Sequence, residues 1–508
     1  MTESRRVVDA SGPPVRAGRL DAWLLGAGVV GMALVLEWYA HLALTGQGIR
    51  AFPVDLNVYR DAGLIVRHVR PFYQARRPSP LYDWPGPPHF GGLTFTYPPF
   101  AALPFALLSH LSLHALGQWF TAADMLAVPT TIWIICRELG IPADERRVGL
   151  TLLSTAAALA AEPVLRTIAL GQVELLLMVL VVWDVCQPDR RWWKGTGVGL
   201  AAGIKLVPLI FIPYLVLTRR YRQAAVAAAT FALTVVIGFI ALPRDSSRWW
   251  LDGLFIRGSD RADDMFAGNQ SLLGILIRTG SSAWHAEWQA VAIFVAILGL
   301  GTAAVIDRAG HRVLGLLTCA LTGLLVSPIS WDHHWVWIIL ALPVLAYYAM
   351  QSGGRTREAL LWLAFLVVVV FAAWPTRLWG ETRALAWGWG LIWAPPSGHD
   401  YERSWHGIQL LVGNAYVLTG VALLVALMAV AAAMYRSQVH SGKPAALPGR
   451  QAPALSPAPG EATPTASTTT DGPSGLRPGL WLECPPGGPV TGPPARGRAA
   501  APQTQAPG

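Results

Sequence analysis

Asp55 stands in the stretch FPVDLNVYRDAG with Tyr59, Arg60 and Asp61, directly after the first long apolar run. A carboxylate there can take a proton from a hydroxyl held against it; the same residue type also caps helices or stays in water. LGQVE brings Gln172 and Glu174 to the start of another apolar run. The Gln172 amide suits a sugar hydroxyl or a helix end. Glu174 falls inside the run, where a carboxylate needs a partner or water. Lys205 interrupts the apolar stretch 195–217 shortly before Pro208. A lysine at the centre of a membrane helix costs about 2.5–3.5 kcal/mol on insertion scales, so such residues pair or line a path. An anionic lipid phosphate suits its ammonium; Glu174 and Asp184 are the alternative partners.

Two further stretches carry polar groups between apolar runs. AGNQSLLG offers Asn269, Gln270 and Ser271, whose amides and hydroxyl suit sugar recognition or a helix N-terminus. SPISWDHHWVW places Asp332, His333 and His334 among Trp331, Trp335 and Trp337. Adjacent histidines point in different directions on a helix and chelate poorly by themselves, so no metal site is expected. One histidine facing a phosphate or a carboxylate fits the cluster better. The indole rings can stack on a sugar or anchor a span.

The elements that must hold these residues are membrane helices. The chain has 508 residues, 53% hydrophobic and 14% charged, whereas soluble proteins carry about 25% charged residues. Its 23 Trp fit membrane–water interfaces. Apolar runs at 22–44, 115–136, 148–162, 171–187, 223–243, 288–306, 313–330, 334–351, 358–375 and 408–434 are candidate spans. A shorter run covers 99–112, and 195–217 is broken by Lys205 and Pro208.

The net charge of +9 comes as short basic clusters between these runs, which argues against a nucleic-acid groove. Arg146/Arg147, Arg190/Arg191/Lys194, Arg219/Arg220/Arg222, Arg308/Arg312, Arg355/Arg357 and Arg436 all read as cytoplasmic. Both ends of 195–217 then lie inside, which predicts a re-entrant or hairpin element folded at Lys205–Pro208. The expected fold is an all-α polytopic membrane protein of about twelve segments, with both termini cytoplasmic. Outer connections are expected at 45–98, 163–170, 244–287 and 376–407, the first being the longest. Residues 1–20 form a cytoplasmic N-terminal segment and 21–440 the membrane domain. The Pro/Ala/Gly/Thr-rich stretch 441–508 reads as a disordered cytoplasmic tail. Cys136, Cys186, Cys319 and Cys484 are too scattered for a disulfide framework.

VDLNVYRDAG, FTYPPFAALPF, EPVLRTIALGQVELLL, GVGLAAGIKLVPLIFIPYLVLTRRYR, GNQSLLGIL and SPISWDHHWVW occur in order over about residues 50–345. As an ordered set they resemble glycosyltransferase family 87, a group of actinobacterial membrane enzymes with the GT-C fold. The resemblance implies transfer of mannose from polyprenyl-phosphate mannose to phosphatidylinositol mannosides or lipoglycans through α-1,2 linkages, with arabinofuranose as an alternative sugar. It implies Asp55 as catalytic base, with Lys205 and His333 or His334 near the donor phosphate. Tyr59, Arg60, Gln172, Asn269, Gln270 and Asp332 are further candidates for substrate contact. No cofactor is expected beyond the lipid-linked donor; the partners are that donor, a glycolipid acceptor and membrane lipids. A lipid or sugar transporter is the rival class. It would explain the embedded lysine and the broken helices, and it predicts inverted repeats that the sequence does not display.

Overall fold

Helix boundaries follow local chemistry. Ser112 Oγ accepts the Ala115 amide, and Asp144 accepts those of Arg146 and Arg147, so each caps the helix that follows. Prolines open the helices at Pro99 and Pro163, where a missing N–H costs nothing. The computed structural model describes residues 17–45, 53–72, 79–82, 93–254, 265–280, 285–373, 390–398 and 400–441. The segment before Ala17, the Pro-rich tail with Cys484, and parts of the expected outer connections lie outside the described residues.

In chain order the main helices are α1 (Ala17–Thr45), α2 (Val54–Phe72), α3 (Pro99–Leu108), α4 (Leu113–Glu138), α5 (Glu145–Leu159), α6 (Glu162–Leu170), α7 (Glu174–Val185) and α8 (Thr196–Ile204). They continue with α9 (Phe211–Leu217), α10 (Tyr221–Ala241), α11 (Leu272–Thr279), α12 (His285–Arg308) and α13 (Arg312–Val326). A 3-10 stretch, Asp332–Leu340, runs into α14 (Ala341–Gln351), followed by α15 (Gly354–Phe371) and α16 (Ala415–Ser441). No β-sheet forms among the described residues, which carry two isolated bridges, Ala161 to Ala372 and Asn269 to Trp331.

Among the described residues six helices are long and apolar enough to cross a bilayer: Gly18–Leu42, Leu113–Glu138, Tyr221–Ala241, Glu287–Arg308, Asp332–Gln351 and Ala415–Gln438. Counting α6 and α7 as one broken span makes seven. Other apolar runs of the expected twelve segments fold as shorter helices, among them Pro99–Leu108, Val207–Leu217 and Arg312–Val326. The stretch 163–170, expected as an outer connection, is helical and forms most of α6. It meets α7 at a bend of 114°.

Lys194, Arg220 and Arg312, from three of the basic clusters, gather at one end of the helices. Asp189, after α7, accepts Lys194 Nζ at 2.8 Å and an Arg312 amine at 3.3 Å, with Arg220 Nε 3.9 Å away. Arg312 also reaches Glu138 at the end of α4, at 3.0 Å. Both oxygens of Asp307 at the end of α12 take bonds from Arg220, and Tyr214 donates to one of them. Lys194 precedes α8 and Arg220 follows α9, so both feet of the 195–217 element meet the same carboxylate. The chain between them breaks at Lys205, whose backbone is extended at φ −143° and ψ 132°. The expected hairpin is thus present, with Lys205 at its apex.

Candidate active site

Asp55 lies in the first turn of α2, which buries Leu56, Tyr59 and Ala62 along one face. The helix is held against the α6–α7 bend by Gly171. This residue ends α6 in the left-handed region at φ 67°, and a Cβ there would come within 2.6 Å of Leu56 Cβ. The bend thereby sets Gln172 against α2. Gln172 Nε2 donates to Asp55 Oδ2 at 2.8 Å, and its Oε1 accepts the hydroxyls of Tyr59 at 2.6 Å and Tyr97 at 2.9 Å. The amide orientation is fixed by these partners, since two phenols must donate and one carboxylate must accept.

Tyr97 carries the chain of contacts onward. Its hydroxyl accepts from Lys205 Nζ at 3.0 Å, and the ammonium lies 5.0 Å from the Tyr97 ring centroid. Lys205 also donates to Glu174 Oε1, in close contact, and to His334 Nε2 at 2.9 Å. The loop carboxylate and the membrane cation are therefore two side chains apart. Of the alternative partners for Lys205, Glu174 is the one engaged. Asp184 instead accepts the backbone amides of Gly195 and Val198.

His333 approaches from the 3-10 stretch. Its Nδ1 donates to Asp332 Oδ1 at 3.2 Å, and its Nε2, 3.9 Å from Glu174 Oε1, has no hydrogen-bond partner among the described residues. Asp332 stands behind the histidine and accepts Arg166 Nε at 2.8 Å through its other oxygen. Arg166 stacks over Trp393 at 5.2 Å, and Trp393 and Tyr416 each donate to one oxygen of Glu162. Burial raises the pKa of Asp55 above its usual value; the neighbouring His333 and the Gln172 bond oppose that rise, and Glu174 adds to it.

Glu174, His333 and His334 each present a ligand atom, all within 4.8 Å of one another. A metal cation there would meet the Lys205 ammonium, which already bonds two of the three. Charge repulsion opposes it.

The remaining sequence candidates fall outside this cluster. Arg60 Nε donates to Leu111 O at 2.9 Å, tying α2 to the turn before α4. Asn269 and Gln270 engage their polar atoms on the backbone. Asn269 Oδ1 accepts the amides of Ser330 and Ser271, and its Nδ2 donates to Pro328 O. Gln270 Nε2 donates to Ala267 O and Gly413 O. With the Asp332 N to Gly268 O bond of 2.8 Å, they clamp the segment that delivers Asp332 and His333. Tyr97, Glu162 and Arg166 were missed in the sequence. A charged pair four residues apart within the apolar run EPVLRTIAL was the available signal for the last two.

Residues 95–328 match the profile of glycosyltransferase family 87. The chain is 31% identical, over 80% of its length and 93% of the relative's, to a polyprenol-phosphate-mannose-dependent alpha-(1-2)-phosphatidylinositol mannoside mannosyltransferase of Mycobacterium tuberculosis. It is 30% identical to a second M. tuberculosis protein, named a phosphatidylinositol pentamannoside mannosyltransferase with the same donor dependence, over 82% and 90% of the two chains. A Mycolicibacterium smegmatis relative named like the first is 29% identical over 81% and 93%. No solved structure matches. The bent α6–α7 pair, the lysine-tipped hairpin and the Asp–His–His segment all lie within the aligned portion of a multi-pass membrane enzyme, and the chain belongs to glycosyltransferase family 87.

Proposed function

We propose that the protein transfers mannose from polyprenyl-phosphate mannose to a phosphatidylinositol mannoside, forming an α-(1-2) linkage with inversion on the extracytoplasmic side of the membrane. One observation carries this reading. Asp55 and Lys205, a base outside the first helix and a cation inside the membrane domain, are linked through Gln172 and Tyr97. The names of the mycobacterial relatives supply the donor and the acceptor class.

In the proposed step the acceptor hydroxyl oxygen attacks the anomeric carbon and its proton passes to Asp55. The bond from that carbon to the phosphate oxygen breaks, and the electron pair leaves with the lipid phosphate. Lys205, assisted by the Tyr97 hydroxyl and a histidine, meets the charge that builds on the departing oxygen. Among the described residues His333 Nε2 has no hydrogen-bond partner, whereas His334 Nε2 already accepts from Lys205. His333 therefore meets substrate, and His334 holds the lysine. No metal enters this step, so chelators should leave the rate unchanged.

The orientation has its own support. Helix α7 begins beside Glu174 and ends near Asp189, while α13 begins at Arg312 and ends before the histidine segment. Site and basic cluster are thus opposite ends of the same helices. With the basic end cytoplasmic, the site faces outward. Incubating purified protein with polyprenyl-phosphate mannose and phosphatidylinositol mannosides tests the assignment. A new α-(1-2)-mannosyl product is expected; an arabinosylated product from polyprenyl-phosphate arabinose, or transport without covalent transfer, would replace it.

A further inference from the structure

The Lys205 ammonium is already engaged by a carboxylate that is itself loosely held. Glu174 Oε1 contacts Lys205 Nζ and lies 3.4 Å from His334 Nε2. Its Oε2 is buried and has no hydrogen-bond partner among the described residues. Two other buried carboxylates, paired with arginines, are held more fully. Asp307 and Glu162 are each bonded through both oxygens. Among the described residues Glu174 therefore has one hydrogen-bond donor, and that donor is the cation a lipid phosphate would need.

We infer that Glu174 is an internal counter-ion that makes the site discriminate between phosphodiester and phosphomonoester lipids. The inference rests on the reading that Lys205 meets the donor phosphate. The donor is a phosphodiester with one negative charge. The product phosphate is a monoester whose second ionisation falls near neutral pH, giving it up to two charges. A fixed ammonium alone would retain the product more tightly than the donor. A carboxylate beside the ammonium repels the doubly charged lipid more than the singly charged one. Glu174 thereby favours product departure, resuming its contact with Lys205 as the phosphate leaves.

The test uses the full chain in lipid nanodiscs with two probes, farnesyl phosphate and its methyl ester, binding of each measured directly by calorimetry. Glu174→Gln keeps the side-chain shape and removes the charge. It should bind farnesyl phosphate about tenfold more tightly while affinity for the methyl ester changes less than about threefold. Lys205→Met should weaken binding of both probes. If Glu174→Gln fails to fold, Glu174→Asp withdraws the carboxylate by one methylene, and the monoester preference should rise about threefold. An unchanged or reduced monoester-to-diester ratio in the glutamate variants, with Lys205→Met still weakening both probes, overturns the counter-ion role alone. Unaltered binding of both probes in Lys205→Met overturns the phosphate reading beneath it.

Discussion

Asp55 is the residue on which the proposed reaction depends most directly. A positioned base contributes a factor of about 10²–10⁴, so Asp55→Asn should fold normally and lose transfer by that order. Retained turnover in a single-turnover assay would remove Asp55 from the reaction. Burial raises its pKa, and only the ionised form can accept a proton. The rate should therefore fall as pH drops through a value above the usual carboxylate pKa of about 3.9. A kcat/KM profile measured on the acid side reports this group in the free enzyme. An acid limb at or below the ordinary range would contradict the assignment. At this scale the sequence was informative wherever a charged group interrupted an apolar run, because the membrane makes such a residue costly. It was less informative for groups whose roles depend on neighbours. Tyr97 in TFTYPPF reads as part of a turn until the hairpin brings Lys205 to its hydroxyl. Arg60 and Asn269 carry suitable chemistry but spend it on backbone carbonyls and amides.

At the level of elements, the α6–α7 bend and the histidine segment set the geometry. Gly171→Ala forces a Cβ against Leu56 and places alanine in the left-handed region. Displacing Gln172 from Asp55 by about 1 Å should cost on the order of 10²-fold in kcat. The variant's kcat should fall more than its thermal stability. Asn269→Ala leaves the Ser330 and Ser271 amides without their side-chain acceptor, and the Pro328 carbonyl keeps only the Ser271 hydroxyl. A cost of about 1–3 kcal/mol is expected, seen as a lower unfolding midpoint with donor KM little changed. The 195–217 hairpin was legible in advance because charge on both flanks and a proline between them allow few other paths. Helix α6 was not. Its apolar residues adjoin those of α7, and nothing in a hydropathy pattern distinguishes a straight span from one turned through 114°.

For the molecule as a whole, the proposed orientation, with the basic end opposite the end that holds Asp55 and Lys205, predicts opposite labelling. In a Cys484→Ser background the three remaining native cysteines are buried. Ser112→Cys, capping the start of α4, should react with a membrane-impermeant maleimide on intact cells. Arg190→Cys, exposed beside Asp189, should react only after lysis. The reverse pattern would invert the orientation. Breaking the buried Arg220–Asp307 pair by Asp307→Asn should cost about 3–5 kcal/mol, lowering the unfolding midpoint while leaving kinetic constants of the folded protein near wild type. Fold class was readable from composition alone, whereas the lengths of the individual helices were not, since short helices supported by neighbours share the hydropathy of long ones.

The hairpin fastened at both feet to Asp189 bears on biogenesis. Its two arms, Thr196–Ile204 and Val207–Leu217, are each too short to span a bilayer, so neither arm is stable in lipid until other helices surround it. Arg312 reaches the same carboxylate from more than ninety positions downstream of the second arm. A nascent chain halted before that arginine emerges should therefore hold the 195–217 segment loosely and leave it open to proteases. Resistance should develop once α13 has been synthesised and joins the cluster.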